Sequence, residues 1–572
     1  MARFRPNRGT TLFLLAVIGP LPTVNSAVAP APPSIVVINT DDQRFDSLGS
    51  CLPSYGAPDG PDTVPCMANV RALLQEQGVT FTQSFVSTAQ CCPSRASLLT
   101  GLYAHTTGVL TSTRPYGGVE RFAPYERANI AVWLHRAGYR TALIGKYLNG
   151  YHGAVVPPGW DDWHAHVGSS NLSYWHYRLN DDGVVNEYRR TYQTSVLGED
   201  AVDFVASTPA DQPLFLYFAP RAPHHPWEPN RGDGRAYEAM APFRPPSFDE
   251  ADVSDKPAYW RSLPVSDQDR VARADRAEQR QLATLLEIDR QVGRIVEALG
   301  PRLADTLIVF TSDNGLSWGE HRYFNKKDCE FEECHRVPMV VRYDPLTGGA
   351  ARTDATHPVM NVDLAPTLAE VAGLTNQRAM GGRSLLPLLA RESAGWRTAV
   401  LGEDYGSLGG GHTGDPPTAR FVRTFPRDPL GPFKYVRVCS PDDTTILCPA
   451  VERELYDEAQ DPYELCNLLS RTCGADPPPG VVYRLARRLR IMNHRAAPTL
   501  SVTVNSTIGE RRVSFFAKGA TRFRCSFDAG AFAGCSSPYT PSGQSAGSHT
   551  LTVIAEGHAG TSAPATVAWR VA

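Results

Sequence analysis

Three unbroken apolar runs constrain this chain more than any other feature: Ile35-Val36-Val37-Ile38 within Ser34 to Asn39, Leu214 to Phe218, and Thr306 to Phe310. Apolar residues in succession, without polar alternation, predict strands covered on both faces, as in parallel sheets. Each run stops at a polar cluster. The first ends at Thr40-Asp41-Asp42 and the third at Thr311-Ser312-Asp313-Asn314-Gly315. The second leads into Ala219-Pro220-Arg221-Ala222-Pro223-His224-His225-Pro226-Trp227. Tyr139 to Ile144 reads as a fourth strand, left through Gly145-Lys146-Tyr147-Leu148-Asn149. Helical periods lie between: Met67 to Gln77, Asn129 to Ala137, and Glu278 to Leu299 with Leu282, Leu285, Ile288, Val292 and Val296 inward. The alternation predicts an α/β fold, a largely parallel central sheet with helices on both faces. Open sheets of that kind build their sites at the carboxyl ends of strands, where these polar clusters fall.

A strand over Val79 to Val86 precedes Cys91-Cys92-Pro93-Ser94-Arg95-Ala96-Ser97-Leu98-Leu99-Thr100-Gly101. Pro93 suits a first helical turn and Gly101 a helix end. Cys91 then stands near the positive end of a helix dipole, a favourable place for a nucleophile meeting an anionic substrate. The pattern C-x-P-S-R-x-x-x-L-T-G resembles the signature of the type I sulfatases of the alkaline-phosphatase superfamily, and Cys91 to Gly101 match every fixed position. The resemblance implies that a formylglycine-generating enzyme oxidises Cys91 to Cα-formylglycine (3-oxoalanine), whose hydrate is the nucleophile.

Asp41, Asp42, Asp313 and Asn314 form a hard-oxygen set at strand ends. Three carboxylates packed together repel without a cation. Ca²⁺ fits the ligand set, with Mg²⁺ as the alternative. The resemblance implies the same four positions as calcium ligands, joined by residue 91. Arg95, Lys146 and Lys327 are the candidates to hold sulfate oxygens, and His224 to protonate the leaving oxygen. By resemblance, Lys146 matches the family's G-K segment and His224 its A-P-H-x-P segment. Lys327 matches the lysine a short way before V-P, here Val337-Pro338.

The chain departs from many arylsulfatases at Leu148, where G-K-W-H would carry a second histidine. Gly145-Lys146-Tyr147-Leu148-Asn149 is instead similar to N-acetylglucosamine-6-sulfatases. His105 is a candidate substitute, and His225 a candidate substrate contact. The implied activity is hydrolysis of sulfate esters, either on sulfated sugars or glycosaminoglycans such as 6-O-sulfated N-acetylglucosamine, or on an aryl sulfate. Two alternatives stand beside it: a phosphatase or phosphonate monoester hydrolase on the same core, and a non-catalytic carbohydrate-binding protein. Retention of all nine site residues argues against the latter.

A length of 572 residues points to two or three domains. A net charge of −3 offers none of the basic excess of a nucleic-acid binder. Arg3, Arg5 and Arg8 precede an apolar run from Leu12 to Leu21, and Ala27 or Ala29 suits cleavage. Residues 1–29 therefore read as a signal peptide of a secreted protein. The run is too short for a comfortable membrane span, no later stretch approaches twenty apolar residues, and no hydrophobic tail suggests an anchor. Stable membrane insertion is not expected. Ten of the 12 cysteines fall into close pairs that agree with export: Cys51/Cys66, Cys329/Cys334, Cys439/Cys448, Cys466/Cys473 and Cys525/Cys535. Cys91 and Cys92 remain.

Residues 30–400 read as the catalytic domain. Residues 401–497 read as a small antiparallel subdomain, with strands at Phe433 to Val438 and Glu454 to Tyr456 and a helix at Val481 to Asn493. Glu228 to Ser266 reads as a long ordered loop over the site. Residues 498–572 alternate like strands and resemble bacterial Ig-like β-sandwich modules of the pattern F-x-C-S-x-D-x-G-x-F-x-x-C, here Phe523 to Cys535.

Overall fold

A computed structural model of the protein describes residues 32–48, 67–153, 155–168, 173–374, 379–408, 416–439, 450–494, 500–507, 510–517, 520–528, 530–541, 545–557, 560–562 and 564–571. The expected signal peptide, Cys51, Cys66 and Cys448 lie outside them.

Ten strands form the central sheet: β1 (Ser34–Thr40), β2 (Val79–Phe81), β3 (Arg140–Gly145), β4 (Asp162–His166), β5 (His176–Asp181), β6 (Val184–Arg189), β7 (Leu214–Ala219), β8 (Thr306–Ser312), β9 (Met339–Arg342) and β10 (Arg352–Asp354). Their spatial order is β10-β2-β9-β8-β1-β7-β3-β4-β5-β6. The five strands β8-β1-β7-β3-β4 are mutually parallel. The flanks depart from the largely parallel expectation, because β9 runs antiparallel to both its neighbours and β5 and β6 form an antiparallel hairpin. That hairpin turns at Asp182-Gly183, both at positive φ (49° and 95°), the backbone that a tight two-residue turn requires. The expected strand over Val79 to Val86 is split. Val79–Phe81 joins the main sheet, and Ser84–Phe85 pairs separately with Val359–Met360.

The apolar runs are buried on both faces as their composition requires. On one side Ile35, Val37, Phe215, Tyr217, Leu307 and Val309 pack with Ala96, Leu98 and Leu99 of helix α1 (Cys91–Thr100). On the other, Val36, Ile38, Leu216, Phe218, Ile308 and Phe310 meet helices α2 (Gln193–Ser207) and α3 (Gln268–Leu299). Leu197, Ala201 and Phe204 of α2 and Leu282, Leu285, Ile288 and Val292 of α3 complete that layer. Helix α3 starts ten residues before the expected Glu278. Its first turns are polar, but Asp267 caps them by accepting from Arg270 N–H at 2.7 Å. Glu228 to Ser266 carries one short helix, Ala258–Arg261. It is tied down by Arg322, which donates to the carbonyls of Glu250, Ala251 and Leu263.

A second sheet is antiparallel throughout: β11 (Ala399–Asp404), β12 (Ala419–Thr424), β13 (Phe433–Cys439) and β14 (Ala450–Asp457). Strand β11 spans the expected 400/401 boundary. Helix α4 (Val481–His494) lays Leu485 and Leu489 on Leu401, Val422, Tyr435 and Leu455. Beyond it, Leu500–Thr507 pairs with Glu510–Ala517. A further antiparallel sheet joins Ala520–Phe527, Ala533–Cys535, Gly547–Gly557, Gly560–Thr561 and Ala565–Val571. Val513 and Phe515 of the two-stranded pair and Cys525, Leu551 and Val553 of the larger sheet form one apolar cluster. Arg524 pairs with Glu370 and ties this C-terminal region to the catalytic core.

Cys329–Cys334, Cys466–Cys473 and Cys525–Cys535 are disulfides, Cys439 is also disulfide-bonded, and Cys91 and Cys92 are free and buried. Among the described residues, no helix is long and apolar enough to cross a membrane.

Candidate active site

Register explains how residues far apart in the chain converge. In the parallel pair β1/β8, Thr40 lies opposite Ser312. The chains leaving these strands therefore run side by side, and Asp313 N–H donates to the Thr40 carbonyl at 3.0 Å. That brings Asp41 and Asp42 beside Asp313 and Asn314. The next strands, β7 and β3, deliver His224 and Lys146 from the same edge. Gly145 ends β3 at φ 120°, and a Cβ there would stand 2.1 Å from the Ala219 carbonyl oxygen. Only glycine lets the two strand ends approach, with Lys146 N–H donating to that carbonyl at 2.7 Å. Helix α1 presents Cys91 in its first turn and Arg95 one turn later.

Asp41 accepts from Lys146 Nζ at 2.5 Å and lies 3.3 Å from Cys91 Sγ. Asp42 Oδ1 accepts from Lys327 Nζ at 2.5 Å and from Asn314 Nδ2 at 2.7 Å. Its backbone N–H donates to Asp313 Oδ1 at 3.2 Å. Lys327 Nζ also lies 2.7 Å from Cys91 Sγ. Arg95 donates through Nε to Asp313 Oδ2 at 2.7 Å and through Nη1 to the Lys146 carbonyl at 2.8 Å. His224 Nδ1 contacts the His225 carbonyl at 2.7 Å, while Nε2 stands 3.8 Å from Asp42 Oδ2. All nine expected site residues thus belong to one cluster.

Burial alone would neutralise these carboxyls. At Asp41 it is outweighed by Lys146, then His224, Arg95 and Lys327, so the carboxyl is held well below the usual range. Asp42 is lowered against burial by Lys327 and His224. At Asp313, burial wins over Arg95 and, with Asp41 adding to it, raises the carboxyl to about 6. Burial pushes the Cys91 thiol up, assisted by Asp41. Cys92, packed in the apolar layer, is raised by burial to about 11. Burial pulls His224 down to about 4.

Two buried polar atoms in the cluster lack a hydrogen-bond partner, Asn314 Oδ1 and Arg95 Nη2, the latter 3.9 Å from Asp41 Oδ2. Ligand atoms of Asp41, Asp42, Cys91 and His224 lie within 4.8 Å of one another. An orphaned amide oxygen beside closely set carboxylates is a donor set that a hard divalent cation fits. Asp313 is arranged differently, with its two oxygens facing Asp42 N–H and Arg95.

Other candidates are engaged with partners of their own. His105 is held by Glu403, Nδ1 to Oε1 at 2.7 Å. His225 serves through its carbonyl, and its ring packs edge-on against Trp227. Leu148 is buried in the apolar layer. A cavity of about 420 Å³ opens from Lys146 and His224 and is walled by Asn149, His166, Arg178 and Arg221, among others. Arg221 is a buried cation that sequence reasoning did not single out. Burial lowers it, and among the described residues no carboxylate pairs with it.

The Sulfatase family profile matches residues 33–374. N-acetylglucosamine-6-sulfatase of Homo sapiens is 30% identical over 428 residues, 71% of this chain and 73% of that one. Extracellular sulfatase SULF-1 homolog of Drosophila melanogaster is 31% identical over 366 residues, 62% of this chain and 31% of that one. The chain also spans 52% of a Caenorhabditis elegans relative, so it covers about half or less of the length of these two invertebrate proteins. A structure solved in complex with its substrate D-glucosamine-2-N,6-O-disulfate shares the fold, with a TM-score of 0.65 at 23% identity, covering 80% of this chain and 97% of the other. The chain belongs to the sulfatase family.

Proposed function

We propose that this protein is a secreted sulfatase that hydrolyses sulfate esters of sugars, with 6-O-sulfated glucosamine residues as the favoured class. The observation that carries the reading is a buried thiol within a cluster of three carboxylates and three cations, one of which, Lys146, lines a cavity together with His224. The substrate class draws support from Gly145-Lys146-Tyr147-Leu148-Asn149, from the human relative's name and from the sugar bound by the structural neighbour.

Asp41, Asp42, Asp313 and Asn314, with residue 91, would hold one Ca²⁺, Mg²⁺ being the alternative. Bound there, the ion supplies positive charge for an anionic ester oxygen. Oxidised by a formylglycine-generating enzyme, residue 91 supplies an oxygen nucleophile that can also expel sulfate by reforming a carbonyl, which a serine or cysteine cannot do.

The chain's own groups do the rest. Arg95 is fixed through Nε and Nη1, which leaves Nη2 to donate to a sulfate oxygen. Lys146 and Lys327 are held protonated, against burial, chiefly by Asp41 and by Asp42 respectively. Both ammonium groups would supply positive charge to the oxygens of an anionic ester bound beside residue 91. The His225 carbonyl orients the His224 ring, which puts Nε2 toward the reacting bond. Burial keeps that ring neutral, and the negative charge of an arriving ester favours its protonated form. The proton for the leaving oxygen then sits on His224 Nε2, with Lys327 as the alternative donor.

Residues 1–29 are proposed as the cleaved signal. Residues 30–400, 401–497 and 498–572 are proposed as catalytic domain, subdomain and Ig-like accessory module. The test is release of sulfate from a panel of sulfated saccharides and p-nitrophenyl sulfate, beside p-nitrophenyl phosphate. Sulfate release from 6-O-sulfated glucosamine is expected. Phosphate turnover without sulfate release would return the site to a phosphatase.

A further inference from the structure

The cavity beside the catalytic cluster has more binding capacity than one sulfate ester needs. Four of its wall residues carry buried polar atoms without a hydrogen-bond partner: Asn149 Oδ1, His166 Nε2, Tyr177 Oη and Gln193 Oε1. Burial pulls His166 down to about 3, so its ring is neutral. Its Nδ1 lies 3.4 Å from Gln193 Nε2. Unmatched donors and acceptors in a polar hollow suit a polyhydroxylated ring, since each leaves a desolvation cost that only a ligand or water can relieve.

A charge on the cavity wall is also unmatched. Arg178 stands exposed on β5 at the cavity wall. Among the described residues its guanidinium has no hydrogen-bond or ion-pair partner. It lies over the backbone of Gly168, where a Cβ would come within 3.3 Å of Nη2. The wall's carboxylate, Glu187, is already held by His176 at 2.5 Å and Arg189 at 2.8 Å. Deeper in, Arg221 gives Nη2 to the His225 carbonyl and likewise has no acid partner among the described residues. The cavity wall therefore carries, besides Lys146 of the catalytic cluster, cations without a hydrogen-bonded acid partner among the described residues, Arg178 and Arg221.

We propose that this cavity selects sugars bearing a second anionic group, and that Arg178 is the residue that selects it. This rests on the sulfatase reading above. The group is a sulfo or carboxylate anion, supplied either by an N-sulfo substituent of the same sugar or by a neighbouring uronate. Arg178 meets it with the forked donors that suit planar or tetrahedral oxyanions.

The test compares kcat/KM for sulfate release from 6-O-sulfated N-acetylglucosamine, from 6-O-sulfated N-sulfoglucosamine, and from a uronate-linked disaccharide of the first. The wild-type protein should prefer at least one doubly charged substrate. Arg178→Ala should lower that preference about tenfold, the scale of one charge-assisted hydrogen bond at a partly exposed site. Arg178→Lys should keep part of it. Loss confined to the N-sulfo sugar assigns the anion to the same ring, and loss confined to the disaccharide assigns it to the uronate. A preference that Arg178→Ala leaves within twofold, or no preference in the wild type, overturns the inference while leaving the sulfatase reading intact. Failure of the wild type to release sulfate from all three overturns the reading beneath it.

Discussion

The cluster at Cys91 has a counterpart elsewhere in the same molecule. Around His321, Glu333 and Glu464, donor atoms again lie within 4.8 Å of one another. His321 meets Glu250 at 2.6 Å, Lys434 on β13 meets Glu464 at 2.7 Å, and Arg423 on β12 meets Glu458 at 3.2 Å. Both clusters are buried, mix acids with cations and draw on distant stretches of chain. They differ in access. The Lys434 side chain is 0% exposed and that of His321 1%, whereas Lys146, Lys327 and His224 keep 14%, 17% and 22%. The second cluster is sealed and braces the four-stranded sheet against the Glu332–His335 turn. The first opens on a cavity. Access, more than charge, separates a site from a brace.

Substitutions in the two clusters should therefore fail differently. Cys91→Ser should reduce sulfate release by at least about 1,000-fold, the scale of losing a nucleophile, with the unfolding midpoint little changed. Retained turnover would remove residue 91 from the chemistry. Lys434→Met should do the reverse. Unpairing a buried carboxylate costs about 3–5 kcal/mol, visible in urea unfolding, while sulfate release per folded molecule persists. A Lys434 variant that is stable but inactive would erase the distinction.

Asn314→Ala should weaken Ca²⁺ binding by about 10- to 100-fold, read as metal content after dialysis and as the Ca²⁺ needed to restore sulfate release. Unchanged metal content would exclude its orphaned oxygen as a ligand. The smallest effect concerns the brace. Burial, then Glu320, raises Glu333 to about 8. An unfolded glutamate titrates near about 4.3, so between those values the folded chain holds the extra proton. Stability should fall as pH rises through that window. Glu333→Gln should flatten the fall, measured as urea midpoints at pH 5 and pH 8.

The parallel core was legible because Ile35 to Ile38, Leu214 to Phe218 and Thr306 to Phe310 must be covered on both faces. Their ends placed Asp41, Asp42, His224, Asp313 and Asn314. The hairpin β5–β6 escaped, since Arg178 and Glu187 on it read as ordinary exposed polar residues. Helix α2 escaped because Gly198, Glu199 and Asp200 dilute its apolar face. Arg221 and His166 could not be singled out either, because a missing partner exists only in three dimensions. His105, the candidate for the histidine absent at Leu148, was already taken by Glu403 on β11, a pairing no local pattern announces.

Mass analysis of the peptide containing residue 91, taken from the same preparation that releases sulfate, tests the account most directly. It predicts an aldehyde in place of the Cys91 thiol, in proportion to activity across preparations. Full activity from protein whose Cys91 thiol is intact throughout would contradict it.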